Sequence, residues 1–147
     1  MNGVSINMTN IFELEQNMSS LPNELQSIPP VSHCFAPGAY ARTMLIPAGT
    51  LIVGKIHRHE HLNIISYGDV SVATYEGPER LFGFNIFKSA PNVKRAVYAN
   101  EDTMWTTIHP TNETDLEKIE DDVIIKMEAG EEMAFVEKMQ KMLIGDI

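Results

Sequence analysis

The sequence is poor in the features that would mark export, membrane insertion or a nucleotide loop. One residue of 147 is cysteine, Cys34, so no internal disulfide can form. The opening MNGVSINMTN has neither the basic start nor the apolar run of a signal peptide. The longest apolar stretches are a few residues, far short of the roughly 20 that cross a bilayer. No Gly-rich phosphate loop is present. These absences predict a cytoplasmic protein with no membrane partner. Basic residues are scarce too: 11 Lys and Arg against 20 Asp and Glu give a net charge of -9. That balance disfavours extended nucleic acid, whose phosphates need clustered cations.

What is present is ordinary globular material, 44% hydrophobic and 21% charged. It is enough for one domain with a buried core. The charge is unevenly divided. Residues 1–40 carry -3, residues 41–110 carry +1 and residues 111–147 carry -7. This division predicts an N-terminal arm over 1–40, a β core over 41–110 and an acidic helical C-terminal extension over 111–147.

In the middle segment short runs rich in Val, Ile, Thr, Tyr and Phe alternate with turn residues such as Pro47-Ala48-Gly49, Gly68-Asp69, Pro91-Asn92 and Asn100-Glu101-Asp102. The spacing predicts strands near 41–46, 50–57, 61–67, 70–75, 80–87, 93–99 and 103–109. That is the signature of an all-β barrel or sandwich rather than of βαβ units. The flanks read differently. Met8 to Met18 predicts a short helix, and Pro22, Pro29 and Pro30 break the segment after it. Thr114 with Glu117 has capping-box spacing and predicts a helix start. A second helix is expected over 130–143, where Met133, Val136, Met139, Met142 and Leu143 form an apolar stripe in need of a partner surface. With a core of only about 70 residues, marginal alone, the stripe predicts a homo-oligomer.

The chemically loudest run is Gly54-Lys55-Ile56-His57-Arg58-His59-Glu60-His61. Residues two apart on a strand face the same way about 6.5 Å apart, so His57 and His59 can present imidazoles to one ion. His61 faces the same way but lies about 13 Å from His57 unless the chain bends. His109, at the end of the last expected strand, is the candidate third metal ligand. Three readings fit the cluster: a divalent metal site, a metal-free polar pocket, or a solvated strand end.

These residues carry a resemblance. Residues 41–110 resemble the cupin superfamily, small double-stranded β-barrels whose first motif has the form G-x5-H-x-H-x3,4-E-x6-G and whose second has the form G-x5-P-x-G-x2-H-x3-N. Gly49 and Gly54 precede His57, the His57-x-His59 pair matches the paired histidines, Gly68 stands for the closing glycine, and Ser89 to Arg95 with Pro91 resembles the second motif. Leu62, Asn63 and Ile64 occupy the place of the motif's glutamate. Asn92 or Val93 replaces the second motif's glycine, and its histidine falls near Arg95 or Ala96. The resemblance implies a double-stranded β-helix, or jelly-roll barrel. It also implies a pocket near His57 and His59, with zinc, manganese, iron or nickel as the divalent transition metal in question. The chain as a whole also resembles stand-alone cupin-like proteins of tailed bacteriophages, which would place it in the host cytoplasm.

Arg42, Lys55, Arg58, Arg80, Lys94 and Arg95 surround the expected barrel, and inward-facing arginines suit an anion. Tyr67 and Trp105 offer rings for stacking. The ligand-binding set expected from the sequence is His57, His59, His61, Asn63, Arg95, Tyr67 and Trp105, and the metal set His57, His59 and His109. The resulting expectation is a small cupin-type protein that binds a small polar or anionic molecule. Two alternatives stand beside it. One is an accessory protein that sequesters a nucleotide signal or acts in a virion. The other is an enzyme, metal-dependent or acting on sugar nucleotides with a histidine base, a tyrosine acid and arginines on phosphate.

Overall fold

The structure is a computed structural model that describes residues 8–22, 29–74, 77–127, 131, 134, 135, 137 and 138. Seven strands form one antiparallel sheet: β1 Val31–Ala36, β2 Ala39–Ile46, β3 Leu51–Val53, β4 His61–Thr74, β5 Gly77–Phe82, β6 Asn85–Ser89 and β7 Ala96–His109. Helix α1, Met8–Ser19, precedes them and α2, Leu116–Val123, comes after.

The strand order is β1-β2-β7-β4-β5, with β3 added on β7 and β6 on β4. Each long central strand serves two partners in succession. The first part of β7 pairs with β3 and the rest with β2; the first part of β4 pairs with β6 and the rest with β5. The sheet therefore divides into two halves that share β4 and β7. The core of Ile46, Ile65, Val70, Val72, Val97, Ala99 and Trp105 draws on both halves, as a sheet wrapped around its own apolar face requires.

The long strands correct the expected boundaries. The expected strands 61–67 and 70–75 are one strand, with Gly68 inside it at φ +130°. A Cβ there would lie 2.1 Å from Thr103 Oγ1, so only glycine lets β4 pass β7 through a series of register shifts between Ile65 and Val70. Such bulges bend a strand and re-aim its side chains. The expected strands 93–99 and 103–109 also fuse. The polar run Asn100-Glu101-Asp102 is no turn, because Asn100 donates to Asp69 and Ser71 of β4 and Asp102 accepts from the Ala48 amide. Conversely, 80–87 is split at Gly83, φ +69°, where the Asn85 amide caps the Phe82 and Gly83 carbonyls. The expected strand 50–57 shrinks to β3. The sheet starts at Val31, ten residues before the expected start, because Pro37-Gly38 turns β1 back onto β2.

Helix α1 agrees with the expected 8–18. Its Ile11 and Phe12 are buried, Phe12 packs with Ile56, and Glu15 meets Lys94, itself only 4% exposed. The cap of α2 is Asp115 rather than Thr114. Its carboxylate accepts from the amides of Glu117 and Lys118, while Glu113 accepts from those of Thr114 and Asp115. The apolar stripe Met133, Val136, Met139, Met142 and Leu143 lies outside the described residues. No described helix is long and apolar enough to cross a membrane.

Candidate metal and ligand site

Strand register arranges the inner face of the barrel in layers. Tyr40 of β2 pairs with His109 of β7; one step down, Arg42 pairs with Thr107, which faces Asn63 of β4; a further step down, Met44 pairs with Trp105, which faces Ile65. Because alternate residues share a face, Tyr40, Arg42 and Met44 line one wall of a cavity of about 480 Å³. His61 and Asn63 line the next wall, and His109, Thr107 and Trp105 the one between them. The layers read imidazole at the mouth, guanidinium and amide in the middle, and an apolar floor continuous with the core.

The mouth layer is a triad. The donor atoms of His57, His61 and His109 lie within 4.8 Å of one another, with ring centroids 4.2 Å (His57–His61) and 5.1 Å (the other two pairs) apart. His57 is held by its backbone. Its carbonyl accepts from the Asn92 amide at 2.9 Å, it bridges to Ile124 beyond α2, and the next amide, Arg58, donates to the Val123 carbonyl at 2.7 Å. Asn92 takes φ +68°, a left-handed turn that Asn tolerates far better than most residues. His109 stacks on Tyr40, whose hydroxyl is 2.7 Å from His33 Nδ1.

Burial keeps the triad uncharged. It pushes His57 down to about 3, helped by the proximity of His61, His109, Arg95 and Arg42. It pushes His109 down to about 4 and lowers His61 as well. Neutral imidazole is the form that binds a metal. His57 Nδ1 is also buried with no hydrogen-bond partner among the described residues, and such an atom inside a protein calls for an explanation. The donor set and the orphaned nitrogen both fit a divalent transition metal.

The metal set expected from the sequence is His57, His59 and His109. His59 does not join the others; it is exposed, with Nε2 3.6 Å from Asp122. Residues 54–60 are not strand, the chain bends at Arg58 and His59, and β4 begins at His61. The period of two therefore fails between 57 and 61, and the bend brings His61 beside His57. Tyr67, expected in the pocket, is 48% exposed and lines no part of it. It shares parity with His61, Asn63 and Ile65, but the register shift after Ile65 turns it outward. Asn63 does line the cavity, with its amide engaged at both ends: it donates to Ser89 Oγ at 2.6 Å and accepts from Trp105 Nε1 at 3.0 Å. Trp105 and Arg95 also line the cavity.

The other cations sort by position. Lys55 pairs with Glu120, Arg80 with Asp69 and Lys94 with Glu15, and Arg58 is exposed. Arg42 and Arg95 line the cavity. Sequence reasoning missed His33 and Thr107 as cavity residues and His61 as the partner of His57. The signal for His61 was available in His57-Arg58-His59-Glu60-His61, whose lack of apolar alternation marks a loop rather than a strand.

No protein-family profile matches the chain, and no curated protein matches it. Solved structures do. A salicylate 1,2-dioxygenase from Pseudaminobacter salicylatoxidans superposes with a TM-score of 0.51 at 13% identity, over 69% of this chain and 31% of that one. An RmlC-like cupin family protein with a double-stranded β-helix fold from Methanocaldococcus jannaschii gives 0.49 at 13% identity, over 63% and 88%. A cupin-2 domain protein from Shewanella frigidimarina gives 0.46 at 12%, over 67% and 92%. With its antiparallel sheet wound on two shared central strands, the chain shares its fold with the part of the salicylate 1,2-dioxygenase that it superposes on.

Proposed function

We propose that this chain binds one divalent transition metal on His57, His61 and His109, and a small molecule in the cavity beneath it. The observation that carries the reading is the convergence of three neutral imidazoles whose donor atoms lie within 4.8 Å. An all-nitrogen donor set suits zinc, iron or nickel better than manganese, which favours carboxylate oxygen. When bound, such a metal would supply a Lewis-acid centre with positions left open to a ligand. The chain's own residues do the rest. Tyr40 and the Asn92 amide fix His109 and His57, α2 contributes Ile119 and Val123 to the lining, and the apolar floor excludes water from the inner end. Elemental analysis of protein purified without a histidine tag tests the reading. One equivalent of metal per chain is expected, falling to background in a variant with both His57 and His109 replaced by Ala.

We propose further that the chain self-associates through the outer face of β4 and β6. Ile64 pairs with Ile86, and Leu62, two residues before Ile64, shares that face with Lys88 opposite it; Phe84 lies in the bend that leads into β6. Leu62, Phe84 and Ile86 are 47%, 68% and 60% exposed. An apolar patch of Leu62, Ile64 and Ile86, whose neighbouring Lys88 is already paired with Glu60, on a chain of net charge -9 suits a second copy, because it brings few unpaired like charges together.

A further inference from the structure

We propose that the molecule bound beneath the triad is a small organic carboxylate with an apolar body, its carboxylate held by Arg42 and Arg95. The proposal deepens the reading of this cavity as a ligand site and rests on it.

The middle layer supplies the charge. Arg42 stands one strand step, about 6.5–7 Å, below Tyr40, on the inner face beside Thr107 and Asn63. It has no ion pair or hydrogen bond among the described residues. Arg95 enters from the segment before β7, its backbone carbonyl accepting from the Gly54 amide at 2.9 Å and its guanidinium 5.9 Å from the Phe87 ring. Among the described residues, the carboxylate that lines the cavity, Glu120, is paired with Lys55. A half-buried guanidinium such as that of Arg42, beside an apolar floor and without a counter-charge, is costly unless an anion arrives. Arginine's planar fork matches a carboxylate in two parallel hydrogen bonds.

The floor sets the rest of the ligand. Below the arginines lie Met44, Ile46, Ile52, Val97 and Trp105, with the Trp105 nitrogen already committed to Asn63. Nothing there can satisfy a second polar group, so the body of the ligand must be hydrocarbon, aliphatic or aromatic. Inorganic phosphate has no hydrocarbon body to fill this floor, and a nucleotide's ribose or further phosphates would be stranded against it.

The experiment is isothermal titration calorimetry on the full chain with acetate, benzoate and phenylacetate, with benzamide as the neutral analogue and with inorganic phosphate. It is run on metal-loaded and chelator-treated protein. Benzoate or phenylacetate is expected to bind at least tenfold more tightly than acetate, benzamide and phosphate. Arg42→Met is expected to reduce that affinity at least tenfold, with Arg42→Lys between the two. Equal binding of benzoate and benzamide, preference for phosphate, or binding of none of the three carboxylates below 10 mM overturns the proposal. If Arg42→Met fails to fold by circular dichroism, the benzoate-to-benzamide ratio on the wild type and the Arg95→Met variant decide. Failure of the metal reading shows separately. In that case carboxylate binding persists in His57→Ala and in chelator-treated protein, while no metal is recovered from any preparation.

Discussion

His57 and His61 hold their rings 4.2 Å apart although they stand four positions apart in the chain and no regular element joins them. This pair, completed by His109, makes a variant series sharply diagnostic. Replacing His57, His61 or His109 by Ala is expected to weaken metal binding by about a hundredfold or more, since each removes one of three protein ligands. His59→Ala is expected to stay within about twofold, because its exposed ring lies beside Asp122. Competition with a chromophoric chelator reads both. A His59 variant as weak as the other three would place the site elsewhere.

The depressed histidines tie stability to pH in the metal-free protein. An unfolded histidine titrates near 6.5, whereas His57 and His109 in the fold titrate at about 3 and about 4. Between those values the unfolded chain takes up protons that the folded chain refuses, so acid favours unfolding. Stability is complete above pH 6.5 and falls as the pH drops toward 4, by up to about 1.4 kcal/mol per pH unit for each such histidine. Urea midpoints at pH 7.5, 6, 5 and 4.5 should trace that decline. The double variant His57→Gln, His109→Gln should flatten it, and an unchanged slope in that variant would refute the assignment.

Gly68→Ala should be among the most damaging single changes in the chain. The backbone is at φ +130° and the new methyl would meet Thr103 Oγ1, Cβ and Cα, all within 2.7 Å. Strain and displacement of a buried β4–β7 contact together should cost about 3 kcal/mol or more. Gly49→Ala serves as the comparison. It also has a positive φ, but a Cβ there meets nothing within 4 Å, so it should cost only about 1 kcal/mol. Similar midpoints for the two variants would count against the close approach at Gly68.

Asn63→Ala leaves two buried groups without partners, the Trp105 indole nitrogen and the Ser89 hydroxyl. About 2–3 kcal/mol of destabilisation is expected. Trp105 is the sole tryptophan, so its emission should shift to longer wavelength as the ring loosens. Benzoate should quench the same emission in the wild type if it reaches the floor.

Self-association is read by light scattering. A mass above one chain is expected at micromolar concentration, and Ile86→Lys, which places a charge at the centre of the exposed face, should return the protein to a monomer. A single-chain mass for the wild type would sink the proposed contact.

The fold was more legible in this sequence than the site. Alternating apolar runs punctuated by turn residues reveal a β barrel, because one buried face imposes a period of two. The glycine-histidine spacing carries the resemblance to one kind of barrel. The strand ends were hidden because side chains far apart in sequence decide them. Asn100 keeps β7 continuous only by bonding Asp69 and Ser71, and Gly68 looks like a turn residue until Thr103 stands against it. At the site, His57 and His109 could be read from motif and strand end. His61 replaces His59 because the polar run between them never becomes a strand. Nothing in the local sequence separates Arg42 from Arg80, since both sit on strands. Only the pairing of strands shows that Asp69 stands beside Arg80 while Arg42 turns into the cavity.

His57 is fixed by a bridge to Ile124, with Arg58 and Ile56 bonded to the backbone on either side of it. A residue of the proposed metal site, in the middle of the chain, is thus clamped by a segment made 67 residues later. On the ribosome, the barrel's strands are synthesised before the clamp exists. On the proposed reading, metal loading belongs to a chain that has reached Ile124 rather than to a shorter nascent one, and cleavage between His109 and Ile124 is expected to weaken the site by loosening the hold on His57 while leaving all three histidines in place.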